Sequence, residues 1–444
     1  MNRPETRPLL DASLMQGLRA MQPQVARGRV AQAFGTTLRV SGLQATIGQQ
    51  CLIRDPARPQ APPLRAEVVG LREHEAILVP LGHLQGVSMG AEVEVMDRAA
   101  LVPMGSALLG RVLDAFGEPL DGQPLPPNLP LRPFYNDPPN PLHRAPVEKP
   151  FITGVRAIDG LLTVGEGQRL GVFAMAGGGK STLLGMLARL ARSDINIIAL
   201  IGERGREVRE FLDDSLGPEG MARSVVVVST SDRPAMERLR AAQTATAIAE
   251  GFRAQGKRVL LMMDSVTRYA RALREIGLSV GEPAVRRGFT PSVFAELPRL
   301  FERAGNDAHG SITAFYTVLA EDEDNTDPVA EETRSILDGH IVLSRQLGQA
   351  GHYPAIDVLA SASRVFNRVT TRAHQDAAQR VRALMAKHEE IRFLLQVGEY
   401  AAGSDPLADD AIAAQPGLQA LLRQRPDEAS TLQDTLSQME QFLA

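Results

Sequence analysis

Three glycines, a lysine and a serine follow one another in AMAGGGKSTLL, residues 174–184. Glycines let backbone N–H groups wrap an anion without Cβ clashes. A helix starting at the lysine would add its positive dipole end. In such a loop Ala176, Gly177, Gly178, Gly179 and Thr182 line a phosphate chain, Lys180 reaches the β- and γ-phosphates, and the Ser181 hydroxyl binds Mg²⁺. The usual spacing is G-x-x-x-x-G-K-[ST], and here Ala174 stands at the opening position. A methyl group there demands only a compatible backbone turn; the cradle glycines remain.

Carboxylates come next. RVLLMMDSVTR places Asp264 after a short apolar run, and a buried strand ending in an acid delivers a carboxylate to the Mg²⁺ shell, usually through water. The plainer alternative is an aspartate capping a strand. Arg268 follows at the edge of the same site. ALIGERGREVREF places Glu203 and Arg204 after another apolar run. A glutamate there can polarise an attacking water. Surface charge in a mixed-sign run is the competing explanation, and it suits Glu207, Arg209 and Glu210 better. Arg364, in HYPAIDVLASASRVFN, has no assignable chemistry from its own neighbourhood.

These residues need elements to hold them. LGVFAM, INIIALIG, SVVVVST, RVLLMMD, SITAFYTVLA and HIVLSR are near-continuous apolar runs within residues 151–365. They predict strands buried on both faces, as in a parallel α/β sheet. KSTLLGMLARLAR and PAMERLRAAQTATAIAEGFRAQG predict helices between them, with the nucleotide site at the strands' carboxyl ends. Upstream, TTLRVSG, AEVVGL, EAILVPL and AEVEVMD predict a small antiparallel β-barrel over residues 23–96. Residues 115–150 are rich in proline and predict an ordered lead-in wrapped on the surface. Residues 369–444 turn helical. The α/β domain is thus expected over residues 97–368. Leu10, Leu14 and Leu18 put one apolar face on a helix within residues 1–22; it either docks on its own domain or meets a partner or membrane surface.

Composition narrows the class. The chain has 444 residues, 44% hydrophobic, with 48 basic and 52 acidic side chains. A formal charge of −4 gives no global attraction to nucleic acid, and 4% aromatics with no tryptophan argue against base-stacking platforms. A single cysteine, Cys51, excludes a disulfide framework and points to a reducing compartment. The eight histidines show no metal-ligand spacing. Apolar runs such as INIIAL fall far short of the ~20 residues of a bilayer helix, and the N-terminus lacks an apolar signal core. A cytoplasmic protein is expected.

Together PLHRAPVEKPFITGVRAIDGLLTVGEGQRLGVFA, LIGERGREVREF, DSVTRYARALREIGL, GSITAFYTVL, ILDGHIVLSR and HYPAIDVLASASR resemble the catalytic subunits of the rotary and secretion ATPase superfamily over roughly residues 24–444. The resemblance is closest to the type III secretion ATPases. An opening alanine is usual there, and TSDRP and AEETRSILDGH are similar to the virulence (injectisome) branch more than to the flagellar export ATPases. The resemblance implies a RecA-like P-loop core between an N-terminal β-barrel and a C-terminal helical domain. It implies a Mg²⁺-dependent ATPase in which Glu203 positions the hydrolytic water and Arg204 and Arg268 join the phosphate network. Arg364 would be an arginine finger reaching a neighbouring subunit, and Tyr353 would stack on adenine. Tyr400 lies near a second aromatic position, although Ala401 occupies the place itself. The implied assembly is a homohexamer at the cytoplasmic face of the bacterial inner membrane. Its implied partners are stator and central stalk proteins, chaperone–effector complexes on the C-terminal domain, and an export gate. EPAVRRGFTP, with Arg286 and Arg287, faces the central channel or is a plain surface loop. The flagellar branch, a RecA-like hexameric nucleic-acid motor and a non-catalytic ring subunit are the alternatives.

Overall fold

The computed structural model describes residues 27–96, 101–175, 177–319 and 327–443. The expected segment 1–22 and Ala176 lie outside them. The chain divides into two compact units, Met1–Ala99 and Ala100–Ala444.

In the first unit, β1 (Arg27–Phe34), β2 (Thr37–Ser41), β3 (Gln50–Arg54), β4 (Leu64–Arg72), β5 (Glu75–Pro80) and β6 (Glu92–Val95) form a closed barrel in the order β1-β2-β5-β4-β3-β6. Alternation builds it: Val30, Leu38, Val40, Ile53, Val68, Leu78 and Val93 point inward into one apolar cluster. Two of the strands, β1 and β3, escape the sequence reading. In RGRVAQAF only Val30 is a large apolar inward residue, and Gly28 sits where a Cβ would come within 2.6 Å of Val40 Cγ1. Barrel closure, rather than propensity, makes this segment a strand.

The second unit is built on a mostly parallel sheet. Its main path runs β14-β13-β8-β12-β11-β9-β10-β7. The strands are β7 (Arg111–Leu113), β8 (Arg169–Ala174), β9 (Ile195–Glu203), β10 (Ser224–Thr230), β11 (Arg258–Asp264), β12 (Ser311–Leu319), β13 (Gly339–Leu343) and β14 (Ile356–Ser363). β14 pairs antiparallel with β13, and the other pairings along this path are parallel. β9 is buried at every position, as expected for a strand with both faces covered. The edge strands β7 and β14 were not legible: β7 has three residues and β14 alternates buried with exposed positions.

Helix α1 (Arg156–Leu161) precedes β8; α2 (Lys180–Leu190), α3 (Ala235–Arg253), α4 (Val266–Val280), α5 (Pro291–Glu302) and α6 (Pro328–Ile336) lie between strands; α7 (Arg372–Val397), α8 (Pro406–Leu422) and α9 (Leu432–Glu440) follow. Start signals are local. Ser265 accepts from the Arg268 amide, Asp327 from those of Val329 and Ala330, and Asp405 from those of Leu407 and Ala408, each filling orphan donors of a first turn. Helix α7 stops at Gly398, with φ 74°. The C-terminal helices join the sheet's own core: Ala377, Val381, Leu384, Leu418 and Met439 cluster with Leu170, Leu183 and Phe315.

The proline-rich lead-in is docked, as expected of an ordered segment. Residues Leu131–Pro133 pair with Leu101–Pro103. Phe134 is buried against the Arg240 guanidinium. Asn136 donates to Glu250 at 2.8 Å, a carboxylate that also receives both Nε and Nη2 of Arg303 at 2.8 and 3.1 Å.

Candidate active site

The loop between β8 and α2 carries the phosphate motif. Ala174 is the last residue of β8; it pairs with Leu319 and Leu343 and its methyl lies in the core. An alanine serves here because the position is ordinary strand. Gly177 and Gly179 take φ of 80° and 82°, the left-handed region that glycine enters without cost. A Cβ on Gly179 would sit 3.0 Å from Tyr353 Cε1, so the Tyr353 ring packs directly under the loop. Ser181 is exposed and Thr182 half-buried in the first turn of α2.

Strand register brings the acids to this loop. β9 and β11 pair in parallel with Leu200 opposite Asp264, so Glu203 and Asp264 both end at the carboxyl edge. Lys180 Nζ lies 2.6 Å from Asp264 Oδ1 and 3.2 Å from Glu203 Oε1. The Thr317 hydroxyl donates to Asp264 Oδ1 at 2.8 Å. Gly202, with φ 69°, stands at a register shift between β9 and β10. Such a bulge re-aims the next side chain, here Glu203. A Cβ on Gly202 would strike Arg268 Cδ at 2.7 Å. Arg268 Nη2 is 3.8 Å from Glu203 Oε2.

Charge balance follows from these distances. Burial alone would lower the Lys180 pKa, but the Asp264 and Glu203 carboxylates outweigh it and hold it above the usual value. Burial and the Asp264 carboxylate push Glu203 up, against the pull of Lys180. Glu207 is held below its ordinary range, first by its hydrogen bond with Glu203.

Three expected residues lie apart from the cluster. Arg204 points to solvent with its side chain 76% exposed, paired to Glu207 at 2.7 Å. Tyr400 donates its hydroxyl toward Asp409 at 2.9 Å, at the start of α8. Arg364 is exposed just beyond β14. β14 starts beside the phosphate loop, Ile356 opposite Leu343, and ends with Ser363 opposite Gly339. The five residues of β13 cover that span, about 13 Å at about 3.3 Å per residue, and the eight of β14 cover the same span through an irregularity, so Arg364 stands at the amino edge of the sheet, roughly 15 Å from the loop. No side chain spans that distance within one chain.

The sequence reading missed Glu207, Thr317 and Gln424. Gln424 is 3% exposed; its backbone N–H donates to the Tyr353 carbonyl at 2.9 Å and its amide to Gly154 O at 2.7 Å. The glycine before Glu203 was the one available signal for a re-aimed carboxylate.

The residues fit a Mg²⁺–nucleotide group. Mg²⁺ is held through one or two carboxylates, substrate phosphates and water rather than by an all-protein cage. Among the described residues no group of three or more His, Cys, Asp or Glu is placed to cage a metal. Lys180, two carboxylates and Arg268, whose buried Nε has no hydrogen-bond partner, converge on the start of α2 instead.

Comparison with known proteins agrees with this geometry. Residues 154–363 match the ATP synthase alpha/beta family, nucleotide-binding domain, residues 30–96 its beta-barrel domain, and residues 370–441 the T3SS EscN ATPase C-terminal domain. The chain is 53% identical to the type 3 secretion system ATPase of Xanthomonas euvesicatoria, over 97% of each chain. It is 48% identical to the flagellum-specific ATP synthase of Salmonella typhimurium, over 95% of this chain and 94% of that one. The assembled ATPase EscN of the enteropathogenic E. coli type III secretion system superposes with a TM-score of 0.89 at 48% identity, over 94% of this chain and 100% of that one. The chain thus belongs to the family of type 3 secretion system ATPases.

Proposed function

We propose that this chain is the ATP-hydrolysing ring motor of a bacterial injectisome, in which Lys180, Glu203 and Asp264 form one half of each active site and Arg364 of a neighbouring copy forms the other. The observation that carries this is the separation within one chain: the phosphate loop ends the carboxyl edge of the sheet, and Arg364 stands at the amino edge. Identical subunits set head to tail complete one another's sites. Six copies in a ring is the proposed state.

Gly177, Gly178, Gly179 and Thr182, with Ala176, cradle the phosphates, and charged Lys180 neutralises their oxygens. Ser181 and Asp264 hold Mg²⁺, which when bound supplies charge neutralisation at the transferring phosphoryl group. Glu203, ionised, orients a water for in-line attack. Arg268 steadies Glu203, and Tyr353 stacks on the base. Such a trans arginine contributes ~10³–10⁵ in rate.

Four parts of the chain carry separate tasks in this proposal: residues 1–22 as stator or membrane contact, 23–96 as the oligomerising barrel, 97–368 as the ATPase domain, and 369–444 as the helical domain that meets chaperone–effector complexes. A solved relative is described as EscN in complex with its central stalk EscO, which supports a stalk partner for this ring. The work done is chaperone release and unfolding of effectors at the export gate, at the cytoplasmic face of the inner membrane. Among the described residues no helix is long and apolar enough to cross a membrane; the membrane contact in this proposal is a peripheral one. The match of the C-terminal helices to the T3SS EscN ATPase domain favours the injectisome over the flagellar branch.

Glu203→Gln tests the site. ATP binding is expected to persist while kcat falls by about 10²–10⁴; unaltered turnover would remove Glu203 from its role.

A further inference from the structure

Arg364 needs a rigid root if it is to reach across an interface. Its own amide donates to the Asp338 carbonyl at 3.0 Å. The Gln168 side chain, with the whole residue 0% exposed, donates to that same carbonyl at 2.9 Å and to Ser363 Oγ at 3.1 Å. Gln168 Oε1 accepts the Gly165 amide at 2.9 Å, within the tight turn that leads into β8. Ser363 Oγ in turn donates to the Thr163 carbonyl at 2.9 Å. One buried amide therefore ties the turn before β8 to both attachment points of Arg364: the residue preceding it and the carbonyl that receives its N–H. Crowding leaves no slack, since a Cβ on Gly339 would lie 2.6 Å from Ala362 O and 3.2 Å from Gln168 Nε2. The Arg364 guanidinium itself is exposed, and its Nη2 donates to the Arg334 carbonyl at 3.3 Å.

We infer that Gln168 is a positioning residue for the trans arginine: it acts on the neighbouring subunit's ATP through Arg364 and not on the nucleotide of its own chain. This rests on the reading of Arg364 as the finger. Gln168 begins at the amino edge of the sheet, one residue before β8, whereas the phosphate loop follows the other end of that strand. A hydrogen-bonded amide at such a joint fixes direction, and a misplacement of about 1 Å costs roughly 10²-fold in a preorganised site.

The test uses the full-length chain at concentrations where it assembles, with light scattering to follow mass and a fluorescent ADP analogue to follow binding. Gln168→Leu is expected to lower kcat roughly 10- to 100-fold, with analogue affinity and assembled mass unchanged. Ser363→Ala removes one attachment by a single oxygen and is expected to lower kcat several-fold; it serves if the leucine variant does not fold. On an Arg364→Ala background neither change should lower kcat further, because effects routed through one group do not add. Mixing Gln168→Leu with Lys180→Ala subunits should give more activity than the average of the two pure proteins, since the second supplies a well-rooted Arg364 to the first. Wild-type kcat in folded Gln168→Leu or Ser363→Ala would overturn the inference while leaving the finger intact. A full further loss on the Arg364→Ala background, or no gain on mixing, would also overturn it. Normal turnover by Arg364→Ala itself would overturn the finger and the inference together.

Discussion

Glu203 and Glu207 stand a turn apart at the end of β9, and their hydrogen bond divides a proton unequally. Glu203, buried beside Asp264, is pushed above the ordinary carboxyl range, while Glu207 is pulled below it. A water-orienting glutamate works only when ionised. Turnover should therefore fall on acidification at a higher pH than an unperturbed glutamate, near ~4.3, would dictate. Glu207→Gln replaces the charged acceptor that favours protonated Glu203 by a neutral amide, which accepts more weakly and can also donate to the Glu203 carboxylate, so the acid limb of kcat should move to lower pH. A pH–rate profile of the two proteins checks this, and an unmoved limb would uncouple the pair. Raised Glu203 stabilises the fold most below its unfolded pKa and loses that contribution as pH rises through the folded value. Lowered Glu207 behaves oppositely, losing its contribution as pH falls.

At the scale of elements, two joints decide whether the site is held. The first is the turn into α2. Gly179 is left-handed and lies against Tyr353, so Gly179→Ala carries a backbone penalty of about 1–2 kcal/mol and drives a methyl toward the ring. Weaker nucleotide binding, measured by titration, is the expected result. The second joint is the clamp between the lead-in segment and α3. Glu250 is 1% exposed in its side chain and receives Arg303, itself 6% exposed, at 2.8 Å. Removing one partner of a buried pair strands the other, at about 3–5 kcal/mol. Glu250→Ala should lower the urea midpoint accordingly; a loss under about 1 kcal/mol would mean that the clamp relaxes around the gap.

At the scale of the molecule, the head-to-tail reading predicts concentration-dependent catalysis. Assembly completes the site, so specific activity should climb with protein concentration and level off once the ring is formed. Light scattering on the same samples should show mass rising in step. Specific activity that stays flat down to concentrations where the mass is that of one chain would sink the shared site. Arg364→Ala should leave the isolated chain folded with kcat lower by about 10³–10⁵, and mixing it with Lys180→Ala subunits should restore part of the activity.

Much of this protein is legible along the chain. Unbroken apolar runs mark β8 to β13, because a strand covered on both faces has no polar side to interrupt it. The glycines ahead of Lys180 mark the loop, because only glycine enters the left-handed region freely. Lys180, Glu203 and Asp264 can each be named from their neighbours. Their meeting within 2.6 and 3.2 Å is different: it comes from parallel register across strands far apart in sequence and from a bulge at Gly202. β1, β3, β7 and β14 stay hidden for a related reason, since closure of the barrel and pairing at the sheet's edges hold them. The place of Arg364 is likewise a property of the fold alone. Its chain neighbours say nothing of its use, and only the antiparallel return of β14 carries it to the edge opposite the phosphate loop, where its own ATP is out of reach.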